Sequence, residues 1–250
     1  MTQSGHSQGL CILFASATNP LGRRSEAAEM KFLRRHWYEV SAVIGTLCFV
    51  AGAIFWNELG VLRGLALLNF AVLMFHVFEE FGFPGGFPKF ANTVLFNSPR
   101  PDRYPLNQNS VMIGNWSFAV LFYIPPIFFP NIIWLGLMPV LFGAVFQVAG
   151  HGILINSKLH TLYNPGLATA LLGHVPIGVC YIYYIQHNGL ASGWDWLIAI
   201  LYMAFAYAIV FRKIIMDGLA DENSPCPLDE VELHRFDRFA TNLQEVTHGL

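Results

Sequence analysis

The sequence predicts an all-α protein: a polytopic transmembrane helix bundle of six spans with both termini on the cytosolic side. Three observations predict it. Hydrophobic residues make up 54% of the 250-residue chain and charged residues only 12%, about half the charged share of a soluble domain. Six runs of roughly 20 apolar residues have no charge in their middles, the length a helix needs to cross hydrocarbon. Once those runs are alternated across a membrane, thirteen of the fourteen basic residues fall on one side.

In chain order, residues 1–30 hold only a short apolar stretch, 10–17, too short to span and without the basic flank of a signal peptide. They are expected to be a disordered N-terminal segment. Met30, followed at once by Lys31, Arg34 and Arg35, stands as an alternative start to Met1. The six spans are placed at 37–56, 61–80, 111–129, 131–155, 165–186 and 195–211, inside a transmembrane domain of 31–215. Pro125, Pro126 and Pro130 interrupt the third and fourth spans, and the turn between them is put at 129–131 because proline breaks helices. Asn164 as N-cap and Pro165 at the first helical position would start the fifth span.

The linker at 81–110 is too long for a plain turn and carries Phe83, Phe87, Phe90 and Phe96, which suit an interfacial lid at the cytosolic headgroup boundary. The tail at 216–250 is acidic: eight of the sixteen carboxylates lie between Asp217 and Glu245. Leu228, Val231, Phe236, Phe239, Leu243 and Val246 recur with roughly helical spacing, which predicts a surface helix packed on the cytosolic face.

Sidedness follows from the basic residues. Arg23, Arg24, Lys31, Arg34 and Arg35 precede the first span; Lys89, Arg100 and Arg103 follow the second; Lys158 follows the fourth; Arg212, Lys213, Arg235 and Arg238 follow the sixth. Only Arg63 falls opposite, so both termini are expected in the cytosol.

Sidedness gives each polar residue in a span a depth, at about 1.5 Å per residue. The second span ends in His76-Val77-Phe78-Glu79-Glu80, where His76 relates to Glu79 and Glu80 by i+3 and i+4 and shares a face with them. Gln147 and His151 lie one turn apart near the cytosolic end of the fourth span, Asn115 early in the third, His174 in the fifth, and His160 in the connection after the fourth. Ionisable groups in a membrane are costly and usually face the bundle interior. Adjacent carboxylates repel unless a proton or cation lies between them, and a divalent metal bound by carboxylate and imidazole would answer that need. The candidate ligands are His76, Glu79, Glu80, His151 and His174, with His160 as a further possibility. Glu79 and Glu80 are the candidate catalytic groups, and Asn115, Gln147, Tyr163 and Asn164 the candidate substrate-binding ones. The expected cofactor is zinc or iron.

The run from His76 to Glu80, with His151 in a later span and Tyr163-Asn164-Pro165-Gly166 beyond it, resembles the small membrane-protein family named for its His-x-x-Glu-Glu motif. The resemblance covers the chain from about the first span to the sixth. That family has no general assigned activity, so it implies that His76, Glu79, Glu80 and His151 matter without naming a reaction.

A net charge of -2 offers no cationic surface for a phosphate backbone, so nucleic acid is excluded as an expected partner. The four cysteines form no C-x-x-C pair. Zincin, nucleophile-elbow and dinucleotide-loop motifs are absent, as are the clustered H-x-x-x-H boxes of histidine-rich membrane desaturases. The leading expectation is a membrane-embedded metal-dependent enzyme, a hydrolase, isomerase or cyclase, or oxidase, acting on an apolar or amphipathic, lipid- or isoprenoid-like molecule near the cytosolic face. The alternative is a proton- or cation-coupled transporter using the Glu79/Glu80 pair. A third reading, a scaffold that docks partners through its acidic tail, uses neither.

Overall fold

The computed structural model describes residues 20–237, with side chains from Glu29 onward. Among the described residues there is no strand, and six helices are long and apolar enough to cross a membrane: Glu29–Ile54, Val61–Gly82, Gln108–Phe128, Ile133–Leu159, Leu167–His187 and Gly193–Leu219. They lie where the apolar runs put them. The ends differ because a helix continues through polar juxtamembrane turns that an apolar count leaves out. The first helix begins at Pro20, so residues 20–30 of the segment expected to be disordered are helical; residues 1–19 lie outside the described part. The sixth continues eight residues past 211 and takes in the start of the acidic tail.

Local chemistry sets the ends. Asn107 accepts hydrogen bonds from the N–H groups of Asn109 and Ser110 while Ser110 Oγ accepts from the Asn107 N–H, a reciprocal cap on the third span. Ser192 and Asp195 do the same for the sixth. Pro139 sits inside the fourth span, and beyond it the helix widens into π-type turns through Val140–Gln147 and Ala149–Ile155, as expected where a ladder hydrogen bond is missing. The fifth span starts at Leu167 with Gly166 as its N-cap, not at Asn164 and Pro165. The reason is that the Asn164 side chain is used elsewhere.

Two buried clusters stack along the bundle. One gathers Phe118, Phe122, Tyr123, Met138, Phe142 and Tyr181 with their neighbours. The other holds Trp37, Tyr38, Val77, Phe81 and Met112 beneath the linker. Burying a large apolar side chain is worth about 1.5–3 kcal/mol, so these clusters fix the helices around the polar residues between them.

The linker is a folded floor. It contains short helical turns at Phe87–Phe90 and Ala91–Leu95. Buried Asn92 donates to the carbonyls of Pro101 and Leu106 at 3.0 and 2.8 Å and accepts from the Leu106 N–H at 2.9 Å. Phe83 and Phe96 are exposed as expected of interfacial residues, but Phe90 is buried and packs with Ile155, Leu159 and Phe236. The tail helix is short, Glu230–Arg235, with Leu228 and Phe236 buried and Val231 exposed; Phe239, Leu243 and Val246 lie outside the described residues. Arg235 donates to the Phe81 carbonyl and to the Tyr38 hydroxyl, and Arg35, ahead of the first span's apolar run, pairs with Asp229. Both ends of the described chain therefore lie at the end of the bundle that carries the His-x-x-Glu-Glu run.

Candidate metal centre

The second span is α-helical through Val77 and turns π-helical at Phe78–Gly82. Neighbouring residues on a helix do not share a face, and here that separates the two glutamates. Both are buried, yet they meet different surroundings.

Glu79 faces the start of the fifth span. Its Oε1 accepts from the Tyr163 hydroxyl at 2.8 Å and the Ala168 N–H at 3.1 Å, and its Oε2 from the Thr169 N–H at 2.9 Å and the Thr169 hydroxyl at 2.6 Å. Four donors fill the roughly four lone-pair sites of a carboxylate. Two are N–H groups at a helix N-terminus, which favours a negative charge. Burial, and then the Glu79 carboxylate, hold the Tyr163 hydroxyl above the ordinary phenol range, so Tyr163 acts there as a donor.

Glu80 faces the fourth span. Its Oε1 lies 3.1 Å from His151 Nε2 and 3.7 Å from His76 Nε2. The ring centroids of the two histidines are 5.1 Å apart at 86°. Donor atoms of His76, Glu80 and His151 all lie within 4.8 Å of one another, and all three residues are buried.

The surrounding hydrogen bonds determine which nitrogens carry protons. Asn164 Nδ2 donates to the carbonyl of His151 and to Asn156 Oδ1, both at 2.7 Å, which turns its Oδ1 toward His151 Nδ1 at 2.6 Å. That oxygen only accepts, so His151 Nδ1 carries a proton and its Nε2 is the atom directed at Glu80 Oε1. The same logic applies to His76, whose Nδ1 is 2.9 Å from Thr169 Oγ1. The Thr169 hydroxyl has one proton and three possible acceptors, His76 Nδ1 itself, Glu79 Oε2 at 2.6 Å and the Gly166 carbonyl at 3.2 Å. The shorter bond to a charged oxygen wins, leaving the Thr169 oxygen to accept from His76 Nδ1–H. His76 Nε2 is then a buried lone pair with no hydrogen-bond partner. A divalent cation seated among these groups would take the Nε2 atoms of both histidines and the Glu80 carboxylate together. Ligand bonds of ~2.0–2.1 Å place tetrahedral donors about 3.3 Å apart, close to the two measured separations.

The close fit extends to the backbone. Gly166 has φ +104°, and a Cβ there would lie 2.5 Å from His151 Cε1. Only glycine satisfies both the left-handed conformation and the approach of the imidazole.

A cavity of about 260 Å³ reaches this cluster. Glu80 and His151 line it while His76 lies behind them. Its other polar lining residues include Asn115 and Gln147, and its walls are largely aromatic, among them Phe118, Phe142 and Phe211. Asn115 Nδ2 donates to the Val111 carbonyl at 2.9 Å.

The structure thus brings together three of the five candidate ligands. Glu79 is turned away with its oxygens occupied. His174 is buried with Nδ1 on Asn69 Oδ1, its ring centroid 5.8 Å from that of His76, and it lies outside the cluster. His160 is exposed in the turn after the fourth span, at φ +50°. Asn115 and Gln147 line the cavity as candidates for substrate contact, whereas Tyr163 and Asn164 are occupied with Glu79 and His151. Thr169 and Asn69 were missed from sequence. Asn69 had a signal, being seven residues before His76 on the same helical face. Thr169 had none, since one threonine in an apolar run is ordinary.

Fold and site together define a helical bundle of membrane-spanning dimensions with a buried two-histidine, one-carboxylate cluster facing an apolar cavity. Over residues 67–181 the chain matches the family described as "Protein of unknown function with HXXEE motif", so the resemblance expected from the motif holds. The match contains the motif, His151 and the segment from Tyr163 to Gly166. It is narrower than expected, running from within the second span to within the fifth rather than from the first to the sixth. No curated protein and no solved structure matches the chain.

Proposed function

We propose that the protein is a membrane-embedded, divalent-metal-dependent enzyme whose ion is held by His76, Glu80 and His151 and whose substrate is an apolar or amphipathic molecule bound in the adjoining cavity. The observation that carries this is the convergence of two buried imidazole Nε2 atoms on one carboxylate, each ring fixed by a hydrogen bond on its far side. Metal-binding histidines characteristically donate their other N–H in this way. Two histidines and a carboxylate form the protein set of both catalytic zinc and non-haem iron(II) sites. A divalent ion so held polarises a substrate oxygen or activates water.

The chain's own residues do the rest. Asn164 and Thr169 hold the rings in their tautomers, and Glu79 holds Thr169. Phe118, Phe142 and Phe211 exclude water and favour an apolar group, while Asn115 and Gln147 offer hydrogen bonds beside the centre. Glu79 neither lines the cavity nor has a free lone pair, so the role of proton acceptor does not pass to it. The same fact weakens the transport reading, which needs both carboxylates to exchange a proton or cation. The centre lies at the end of the bundle that the basic residues assign to the cytosol.

Metal analysis of detergent-purified protein tests the proposal. The expected result is about one zinc or iron per chain, lost on combined substitution of His76→Ala and His151→Ala while the helical fold is retained. Equal metal content in native protein and double variant, or none in either after metal supplementation, removes the proposal.

A further inference from the structure

The cavity opens sideways. Its exposed lining residues include Phe146 and Leu154 of the fourth span, Tyr207 and Arg212 of the sixth, and Phe96 of the linker. The fourth and sixth spans run in the same direction and pack together in their first parts, Ile133–Pro139 against Gly193–Phe205. Further along, the Phe146 and Tyr207 rings meet at 5.2 Å between centroids. One turn beyond them the fourth span has Gly150, where a Cβ would find no atom within 4 Å. Below the ring pair there is thus an opening between Gly150 and Leu154 on one side and Phe211 and Arg212 on the other.

The outer surface beside that opening is lipid-like in demand. Val145, Ile153 and Leu154 on one span, and Phe205 and Ile214 on the other, are exposed apolar side chains. Arg212 directly follows the apolar run of its span, at the level of the headgroups, where a cation is drawn to anionic groups. Its pair with Asp217 is long, at 3.7 Å, and both partners are more than half exposed, so it contributes little. Apolar walls, one cation at the mouth and Glu80 and His151 on the lining beside the Gly150 opening describe the site of an amphiphile. The volume of about 260 Å³ is near the lower end of small-molecule sites, which run from about 300 to 1,000 Å³, and suits one chain rather than two.

We infer that the opening between the fourth and sixth spans is a lateral portal that admits a single-chain lipid with an anionic head from the surrounding leaflet. The chain passes Gly150 to lie against Phe118 and Phe142, the head stays at Arg212, and the atoms next to the head face Glu80 and His151. This deepens the proposed function and rests on it for the chemistry, but lipid entry is measurable without turnover.

The test uses the full chain in phospholipid nanodiscs with a fatty acid carrying a mid-chain diazirine, compared with the matching fatty alcohol, and maps labelled residues by mass spectrometry. Saturable labelling of cavity-lining residues of the third and fourth spans is expected. Gly150→Trp, which fills the opening, should lower it about tenfold, and Leu154→Trp, one turn further along the same face, should lower it in parallel. The alcohol should label about fivefold less than the acid, and Arg212→Gln should abolish that difference. Labelling confined to the outer faces, or unchanged by both tryptophan variants, overturns the portal. Equal labelling by acid and alcohol in the native chain overturns the anionic head. His76→Ala, at a residue that does not line the cavity, separates the two proposals: it should keep cavity labelling while losing metal, whereas a native chain that holds metal and shows no cavity labelling loses the portal alone.

Discussion

Glu79 and Glu80 are neighbours in sequence, equally buried, and opposite in circumstance. Glu79 is surrounded by donors: two helix N–H groups and two hydroxyls fill its oxygens. Glu80 is surrounded by imidazoles, with Nε2 of His76 and of His151 directed at it and an apolar cavity alongside. A buried carboxylate costs several kcal/mol unless its charge is answered, and the two are answered differently. For Glu79 the fold supplies the answer. For Glu80 it supplies a place where a cation completes the balance.

The comparison breaks most directly through paired substitutions. Glu80→Gln should lower metal affinity about 100-fold or more, since one of three ligands loses its charge, and should leave thermal unfolding of the metal-free protein little changed. Glu79→Gln should do the reverse. It turns an amide NH2 toward groups that donate to the native carboxylate, costing about 1–3 kcal/mol of stability while metal still binds. Calorimetric metal titration together with thermal unfolding reads both, and the same loss of metal from either variant would show that the carboxylates act as one unit.

A smaller effect sharpens the link between the two sides. Thr169 is the one side chain that touches both, donating to Glu79 and accepting from His76. Thr169→Val should lower metal affinity about tenfold, within the 10–100-fold range for groups that orient metal ligands, and Thr169→Ser should restore it. Asn164→Ala should act similarly through His151. If Thr169→Ser fails to rescue, the hydroxyl is not what holds the His76 tautomer.

Much of this arrangement was legible in the sequence, and what was not has physical causes. Apolar run length placed all six helices because hydrocarbon thickness imposes it, and left out the polar turns that extend the first and the sixth. The gathering of His76, Glu80 and His151 followed from depth, since polar groups at one level of a bundle turn inward together. Depth does not specify azimuth, however. The i+3 and i+4 relations put Glu79 and Glu80 on roughly the same face as His76, and only the packed fifth span shows that one turns toward donors and the other toward imidazoles. Asn164 looked like a helix cap because Asn-Pro is strong local chemistry. It was overruled by the demand of His151 Nδ1–H for an acceptor, and the start of the helix moved to Gly166, where a glycine alone tolerates φ +104° beside the ring. Phe87 and Phe90 looked interfacial because loop phenylalanines beside a membrane usually are. The linker folds back under the bundle instead, and Asn92, whose hydrogen bonds hold it, gives no sign in a Pro- and Gly-rich segment.

The variant with the smallest expected effect at the centre concerns a third buried carboxyl, Glu232, in the tail helix outside the spans. It is neither filled with donors like Glu79 nor faced by two imidazoles like Glu80. One oxygen accepts the Asp229 N–H at 2.9 Å, and the other is buried without a partner. Burial raises its pKa from 4.5 to about 7, against the lowering influence of the Asp229 N–H, Arg35 and Arg235. A carboxyl raised in the folded state favours folding when protonated. Its contribution is therefore full below about 4.5, declines as pH rises, and is gone above about 7. Hydrogen exchange of the Glu230–Arg235 amides should show weaker protection at pH 8 than at pH 5.5 after correction for the intrinsic exchange rate. Glu232→Gln should keep the low-pH protection at both, with metal affinity unchanged. A buried carboxyl that gets neither donors nor a cation is expected to take a proton instead, and flat protection in the native protein would show that Arg35 and Arg235 already balance its charge.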